Sequence, residues 1–508
     1  MPLRLYNSLT KHEEDVTPLL KSAEQLARWK SDGIVPADAD PAKILTLYTC
    51  GPTVYGRPHI GNYASFLMAD LLRRWLEAGH GYRVVHAKNI TDVGHLVKDA
   101  DSGEDKIEKQ ARQEYGQVTF ESVLGIARKY ELQYLDDEAA LGFLPPAYRP
   151  RATAFIREMA AMVEVLLAAG NAYVLEDGIY FDVTTAEHTP YGTLSGNTLE
   201  GLQSGARVEV HAGKRHPADF ALWKFCVGHN EHHALRWPSP KGAGVPAVEG
   251  FPGWHIECSA MSRALLGDQI DLHTGGEDNI FPHHECEIAQ SEACTGKTPF
   301  VGLWLHKRRI DLEGEKMSKS LGNVLSIPDI MQKGYSPQDI RYYLLSVHYR
   351  TNLKFSWKGM DDAKKARKKI VEWMQAIERA EPVTKSHSHN MDKQIELFAE
   401  AMNQDLNTSA ALSDIFAAMH FFNANPELDA DTLSYYRRFI DLIRHTFGCF
   451  EPEQTDIVIP PEVQALVDAR AAARASKNFA ESDRLRGEIE KSGFAVRDTQ
   501  AGQEIKVK

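Results

Sequence analysis

Apolar and β-branched positions run unbroken through residues 44–49, Ile-Leu-Thr-Leu-Tyr-Thr, the pattern of a strand covered on both faces. Gly51, Pro52, Gly56 and Pro58 break that run into a loop, and helical spacing of apolar residues follows from about Ile60 to about Glu77. Residues 82–87 predict a second strand, ending at Asn89, Ile90, Thr91 and Asp92. Strand, helix and strand make a βαβ unit, hence a parallel sheet with its ligand crevice at the strand C-termini, where Cys50 stands. Long helical patterns over residues 107–128 and 152–169 give way to short strands near 178–182 and 206–210, which reads as an insertion between two halves of the sheet. Strand pattern resumes at 269–273 and 300–305. From Lys319 to about Phe447 the chain reads as almost wholly helical, with polar linkers at 381–391 and 451–458. A helical hairpin and a short strand at 494–498 follow, and no repeat or low-complexity tract stands out.

Length adds that 508 residues suit about three domains, each with its own core. Apolar residues at 43% and charged residues at 25% exclude a disordered or membrane-embedded class. No stretch reaches the ~18 consecutive apolar residues of a membrane span, and the N-terminus reads as a strand start rather than a signal peptide. A cytoplasmic location and no membrane partner are therefore expected. Cys50, Cys226, Cys258, Cys286, Cys294 and Cys449 are too few and dispersed for a disulfide framework, so they are reduced thiols or metal ligands. The net charge of −12 argues against a nucleic-acid partner only if charge is uniform. It is not: Lys364, Lys365, Arg367, Lys368 and Lys369 form a basic run, and local patches bind phosphates, although such a run also suits a solvated helix face.

Candidate chemistry lies in four short segments. Zinc favours nitrogen and sulfur ligands in tetrahedral array. Pro282 is placed to open a helix, which puts His283 and Glu287 one turn apart on one face. Cys50, at a strand end, and Cys258, after Gly253 and Trp254, complete a set of two cysteines, one histidine and one glutamate. Spacing leaves open Cys286 in place of Glu287 and His284 in place of His283. Three thiolates and an imidazole make a closed site, whereas a carboxylate as fourth ligand lets an incoming thiolate join. Such a metal separates cysteine from serine by driving deprotonation of the thiol alone, a distinction an apolar pocket makes poorly. Trp254 either closes that pocket with its flat face or is an ordinary core residue.

His59, Ile60, Gly61 and Asn62 open the first helix of the βαβ unit, whose N-terminus is a natural phosphate seat. His59 and Asn62 add donors. Gly275 and Gly276, with Glu277 and Asp278, follow a strand and let a nucleotide lie against backbone, or form a plain turn. Lys316-Met-Ser-Lys319-Ser320 clusters two ammonium groups of the kind that stabilise phosphoryl transition states.

With these segments the chain resembles the class I aminoacyl-tRNA synthetases and, within them, the cysteinyl-tRNA synthetases. The loop from Cys50 to Asn62, Gly253 to Cys258, Phe281 to Glu285 and Lys316 to Ser320 carry the resemblance, supported by Asp405 to Thr408 and Ala480 to Arg484. It implies an α/β fold: a Rossmann-type parallel sheet split by a connective insertion, followed by a helical anticodon-binding domain and a small C-terminal α+β segment. The expected divisions are a catalytic first half (1–105), the insertion (106–218), the catalytic second half (219–305), a stem-contact region with the KMSKS loop (306–345), a helical anticodon-binding bundle (346–450) and a small C-terminal domain (451–508).

By resemblance, one zinc per chain is held by Cys50, Cys258, His283 and Glu287, cysteine by Gly51, Thr53, Asn89 and Trp254, and ATP with Mg²⁺ by His59, Asn62, Gly276, Asp278 and Lys319. His59, Asn62, Lys316 and Lys319 are the catalytic set. The implied partners are ATP, L-cysteine and cysteine tRNA, acted on by a monomer that forms cysteinyl-adenylate and passes it to the tRNA 3′ end. Asn62 departs from the histidine of the family pattern but keeps a donor, and Ser65 stands where threonine is frequent. Residues 93–101 also differ from the shorter form, and about twenty extra residues between Val16 and Lys43 have no role in this reading. Two alternatives are a cysteine ligase acting on a small amino-sugar acceptor, which would lack the region after about residue 400, and an inactive RNA-binding paralogue, against which His59 and both KMSKS lysines weigh.

Overall fold

The structure is a computed structural model describing residues 1–94, 96, 103–204, 213–312, 315–316, 324–384, 392–452, 460–499 and 502–507. The chain divides into two compact units, Met1–Phe450 and Glu451–Lys508.

A four-stranded parallel sheet organises the first unit. Its strands are β1 (Ile44–Thr49), β2 (Arg83–Lys88), β3 (Ile270–Gly276) and β4 (Val301–Lys307), in the spatial order β4-β3-β1-β2. Three helices matter for the site: α1 (Ile60–His80) links β1 to β2, α2 (Trp254–Leu266) precedes β3, and α3 (Glu285–Thr295) links β3 to β4. Every residue of β1 is buried, which explains its continuous apolar sequence. Between β1 and β3 the connections turn opposite ways, the switch point where open α/β sheets bind ligands. The Cys50 N–H donates across that line to the Thr274 carbonyl at 3.2 Å.

Sequence boundaries hold to within a few residues for α1, which ends at Gly81 in the left-handed conformation (φ 66°). The pattern over 107–128 is two helices, Lys106–Tyr115 and Phe120–Ala140. Left-handed Gly116 ends the first and a Thr119/Ser122 capping box starts the second. Pro282 does not open a helix: residues Ile280–His284 form a wide π-type turn and α3 begins at Glu285. A five-stranded antiparallel sheet starts in the expected insertion with Gly178–Phe181 among its strands and runs past the expected boundary at 218, through Phe220–Phe225 to Glu249–Pro252. The strand expected at 206–210 lies outside the described residues. Beyond it, the region read as helical also contains a strand, Leu353–Phe355, paired in parallel with Ile310–Leu312. Among the described residues no helix is long and apolar enough to cross a membrane.

The second unit pairs helices Pro461–Ala475 and Phe479–Lys491 over Val463, Val467, Ile489 and Val496. Strand Phe494–Thr499 is matched by a second strand, Gly502–Val507, that the sequence reading lacked.

One buried charge cluster fastens α1 to the elements after the sheet. Asp70 accepts from Arg74 Nε at 2.7 Å, from the Leu144 N–H at 2.8 Å and from fully buried Arg341, which also donates to the Leu141 carbonyl at 3.1 Å. Burial alone would raise the Asp70 carboxyl, but the Arg341 and Arg74 guanidiniums outweigh it and hold it at about 2. A depressed carboxyl stabilises above its ordinary range and loses that contribution as pH falls towards its folded value. Asp70→Asn, which leaves Arg341 buried without its counter-charge, is expected to cost about 3 kcal/mol. The readout is a lower urea midpoint at pH 7, with the difference from the parent shrinking between about pH 4 and pH 2.

Candidate metal and nucleotide site

Four side chains from three elements meet at the C-terminal edge of β1 and β3. Cys50 follows β1, Cys258 lies on α2, and His283 and Glu287 flank the start of α3. Their ligand atoms all lie within 4.8 Å of one another and all four residues are buried. Cys50 Sγ is 3.9 Å from Cys258 Sγ and 3.8 Å from Glu287 Oε1, and His283 Nε2 is 3.0 Å from that same oxygen.

A second set overlaps the first: Cys50, His273, His284 and Glu287. His284 Nε2 sits 3.3 Å from Cys50 Sγ, and His273 Nε2 is 3.1 Å from Glu287 Oε2. The wide turn before α3 thus aims both imidazoles inward, so His283 and His284 are not exclusive choices of one helix rotation. Cys286 belongs to neither set; its thiol lies 3.4 Å from the Tyr191 hydroxyl. Cys286→Ser is therefore expected to leave metal content at the parental level by elemental analysis, and loss of metal would restore the three-thiolate alternative.

Electrostatics concentrates anionic character in the first set. Burial pushes the Cys50 thiol well up, whereas its contact with Cys50 holds the Cys258 thiol down at about 6. Burial would raise Glu287, but His273 and His283 overcome it and keep the carboxyl at about 2. Burial lowers His283, yet Glu287 and Cys258 bring it to about 10. His284 is driven well below the imidazole range, first by burial and then by His273 and His306. Two thiols, an imidazole and a carboxylate, arranged to stabilise positive charge between them, fit a borderline-soft divalent ion.

A collar of residues that the sequence reading missed orients this set. His273 donates to Glu287, His255 Nδ1 faces His283 Nδ1 at 3.1 Å, and His306 Nε2 meets His284 Nδ1 at 2.8 Å. A Cβ on Gly275 would lie 2.5 Å from the His284 ring, so the collar needs glycine there. Its one readable signal was His306, next to the C-terminus of a sheet strand.

Of the residues expected to hold cysteine, Trp254 packs on a cradle ligand and Gly51 follows Cys50 directly. Trp254 stacks on His283, with ring centroids 4.3 Å apart and planes 18° off parallel. Gly51 N–H donates to Asn89 Oδ1 at 2.8 Å, and Asn89 Nδ2 donates to Thr91 Oγ1 at 3.1 Å. A Cβ on Gly51 would fall 1.7 Å from the Asn89 carbonyl oxygen, so no other residue fits. Thr53 pairs with Thr91 in a parallel bridge.

At the N-terminus of α1, His59 Nδ1 accepts from the Gly61 N–H at 3.1 Å, and Asn62 Oδ1 accepts from the His59 N–H at 3.1 Å. These two bonds assign the remaining donors: the neutral His59 ring carries its proton on Nε2, and the Asn62 amide keeps its NH₂. Gly276 ends β3, its N–H donating to Asn279 Oδ1 at 3.0 Å, and Asp278 is exposed in the turn beyond. Lys316 lies in the short strand Glu315–Lys316, while Lys319 is outside the described residues. The Leu325 carbonyl accepts from the Ile60 N–H at 2.9 Å, which ties the chain at Leu325 to the start of α1.

The family model for the class I (C) tRNA synthetase catalytic domain matches residues 38–365, the DALR domain matches 397–451, and the cysteinyl-tRNA ligase anticodon-binding domain matches 458–505. The chain is 38% identical to the cysteine–tRNA ligase of Chlorobaculum tepidum, over 98% of both chains. It is 39% identical to a cysteine–tRNA ligase of Thermus thermophilus, over 90% of this chain and 93% of the relative. Among solved structures it is similar in fold to Mycobacterium tuberculosis methionyl-tRNA synthetase with methionyl-adenylate (TM-score 0.54, 13% identity, 80% of this chain and 89% of that one). A LeuRS–tRNA complex from Agrobacterium radiobacter K84 is similar too (TM-score 0.57, 12% identity, 84% and 87%).

Proposed function

The chain belongs to the class I cysteine–tRNA ligases, ATP-dependent enzymes, and from that premise we propose that the buried set of Cys50, Cys258, His283 and Glu287 holds zinc and selects L-cysteine for activation. The observation that carries this reading is the convergence of those four side chains within 4.8 Å at the switch point of the sheet. Two thiols favour this set over the overlapping one, because thiolate is the softer donor. When bound, zinc supplies a preference for thiolate over hydroxyl.

The chain's own residues do the rest. Trp254 and the Gly51, Thr53 and Asn89 backbone and side chains enclose a small amino acid. His59 Nε2–H and the Asn62 amide point donors at the N-terminal end of α1, where helix charge is positive and phosphate is favoured. Gly276 and Asp278 border the nucleotide. Lys316 and Lys319 bring ammonium groups to the phosphates of ATP·Mg²⁺, stabilising charge as the bond to pyrophosphate breaks. The cysteine carboxylate attacks the α-phosphate, pyrophosphate leaves, and the terminal hydroxyl of tRNA then displaces AMP from cysteinyl-adenylate. Residues beyond the sheet contact tRNA, and a cytoplasmic location follows from that role.

Cysteine-dependent ATP–pyrophosphate exchange tests the first step, and charging of a tRNA transcript with the GCA anticodon tests the second. Exchange without charging would contradict the second step.

A further inference from the structure

The extra segment before β1 folds into helix Ala23–Ser31 with Trp29 buried, and its polar contacts converge on the roots of the metal cradle. The first root is the C-terminus of α2. A helix leaves its last carbonyls without intrahelical partners, and this segment takes three of them. Arg28 Nη1 donates to the Ala264 carbonyl at 2.7 Å, Arg28 Nη2 and Trp29 Nε1 both donate to that of Leu265, and Gln25 donates to that of Leu266. The Arg28 cation also opposes the negative end of the helix. A Cβ at Gly267 would strike the Gln25 amide at 2.0 Å, so the two surfaces are fitted closely.

The second root is Asp271 on β3. Its carboxylate accepts from Lys21 Nζ at 2.7 Å, both side chains being 2% exposed, and from the Leu19 N–H. The same carboxylate accepts from the Thr46 N–H at 2.6 Å and the Thr46 hydroxyl at 2.7 Å. Thr46 lies on β1, the strand that delivers Cys50, and α2 delivers Cys258. The segment therefore bonds directly to α2, behind Cys258, and through Asp271 to β1, behind Cys50. Cys258 stands eight residues before Leu266, about 12 Å along a stiff helix, so a shift at the capped end moves the thiol.

Building on the metal assignment above, we propose that residues 19–29 are a positioning clamp that fixes the Cys50–Cys258 separation and hence the grip of the cradle on zinc and cysteine. The test uses the full-length Gln25→Ala/Arg28→Ala variant, whose altered side chains are not in the buried core. Two quantities are read against the parent: the rate of zinc transfer to excess chromogenic chelator, and the Michaelis constants for cysteine and ATP in pyrophosphate exchange. Zinc transfer is expected to quicken by roughly tenfold, the low end of the effect of losing groups that orient metal ligands. The constant for cysteine should rise by a similar factor, with that for ATP unchanged. A variant that melts lower but releases zinc and binds cysteine as the parent does would reduce the segment to a general brace and overturn the proposal. Should the double variant fail to fold, Arg28→Ala alone gives the same comparison. A parent that binds zinc without cysteine-dependent exchange would sink the proposed function and leave the clamp to be judged on release rates. Unchanged release in the variant, with a parent that does exchange cysteine, would sink the clamp alone, and a parent that takes up no zinc would sink both.

Discussion

Cys258→Ser is expected to abolish cysteine activation while leaving the fold in place. The substitution keeps a small side chain on α2, so far-UV circular dichroism should match the parent. It removes the thiol that the cradle holds at about 6, the one most readily present as thiolate at neutral pH. A serine hydroxyl does not ionise there, so the donor set drops to one thiol, an imidazole and a carboxylate. Loss of a metal's contribution to substrate selection amounts to several kcal/mol, and cysteine-dependent exchange should fall on the order of 10³-fold. Elemental analysis of the same sample should show zinc well below the parental content. Parental zinc and parental exchange together would remove Cys258 from the ligand set.

His59→Ala should slow the chemical step without touching cysteine recognition. The Gly61 N–H commits Nδ1 as an acceptor, so the ring proton sits on Nε2, at the positive end of α1 where the proposed role places it. Removing one donor aimed at charge that develops in a transition state costs about 10²- to 10³-fold in rate. The ring lies outside the metal cradle, so zinc content and the Michaelis constant for cysteine should hold while the rate of adenylate formation drops. A pre-steady-state burst measured by rapid quench separates these effects. An unchanged burst rate would mean that His59 serves only as the N-cap of α1.

Much of this site was legible because its chemistry sits where local pattern changes. Cys50 ends an apolar strand and His59 begins an amphipathic helix, so periodicity alone set both at the edge of a parallel sheet. Pro282 misled, because its preference for a first helical position is a local rule, whereas the turn at 280–284 is shaped by the need to aim two imidazoles at one centre. His273 was missed for a related reason. On a strand buried on both faces no alternation marks which side chain points into the site, and a histidine there looks like any other core position. The helix break at Gly116 was readable from the glycine and from Thr119 with Ser122 three residues on, but apolar spacing that continues across it masked the boundary. What the extra segment before β1 does depends on long-range contacts such as Lys21 with Asp271, 250 residues apart, which no window of sequence contains.

On the proposed reading, the cradle makes activation of cysteine depend on zinc. This dependence is tested most directly by stripping the protein with a chelator and following cysteine-dependent pyrophosphate exchange as zinc is titrated back. The account predicts negligible exchange in the stripped protein and a linear rise that levels at about one zinc per chain. Full exchange in protein shown to be free of metal would contradict it.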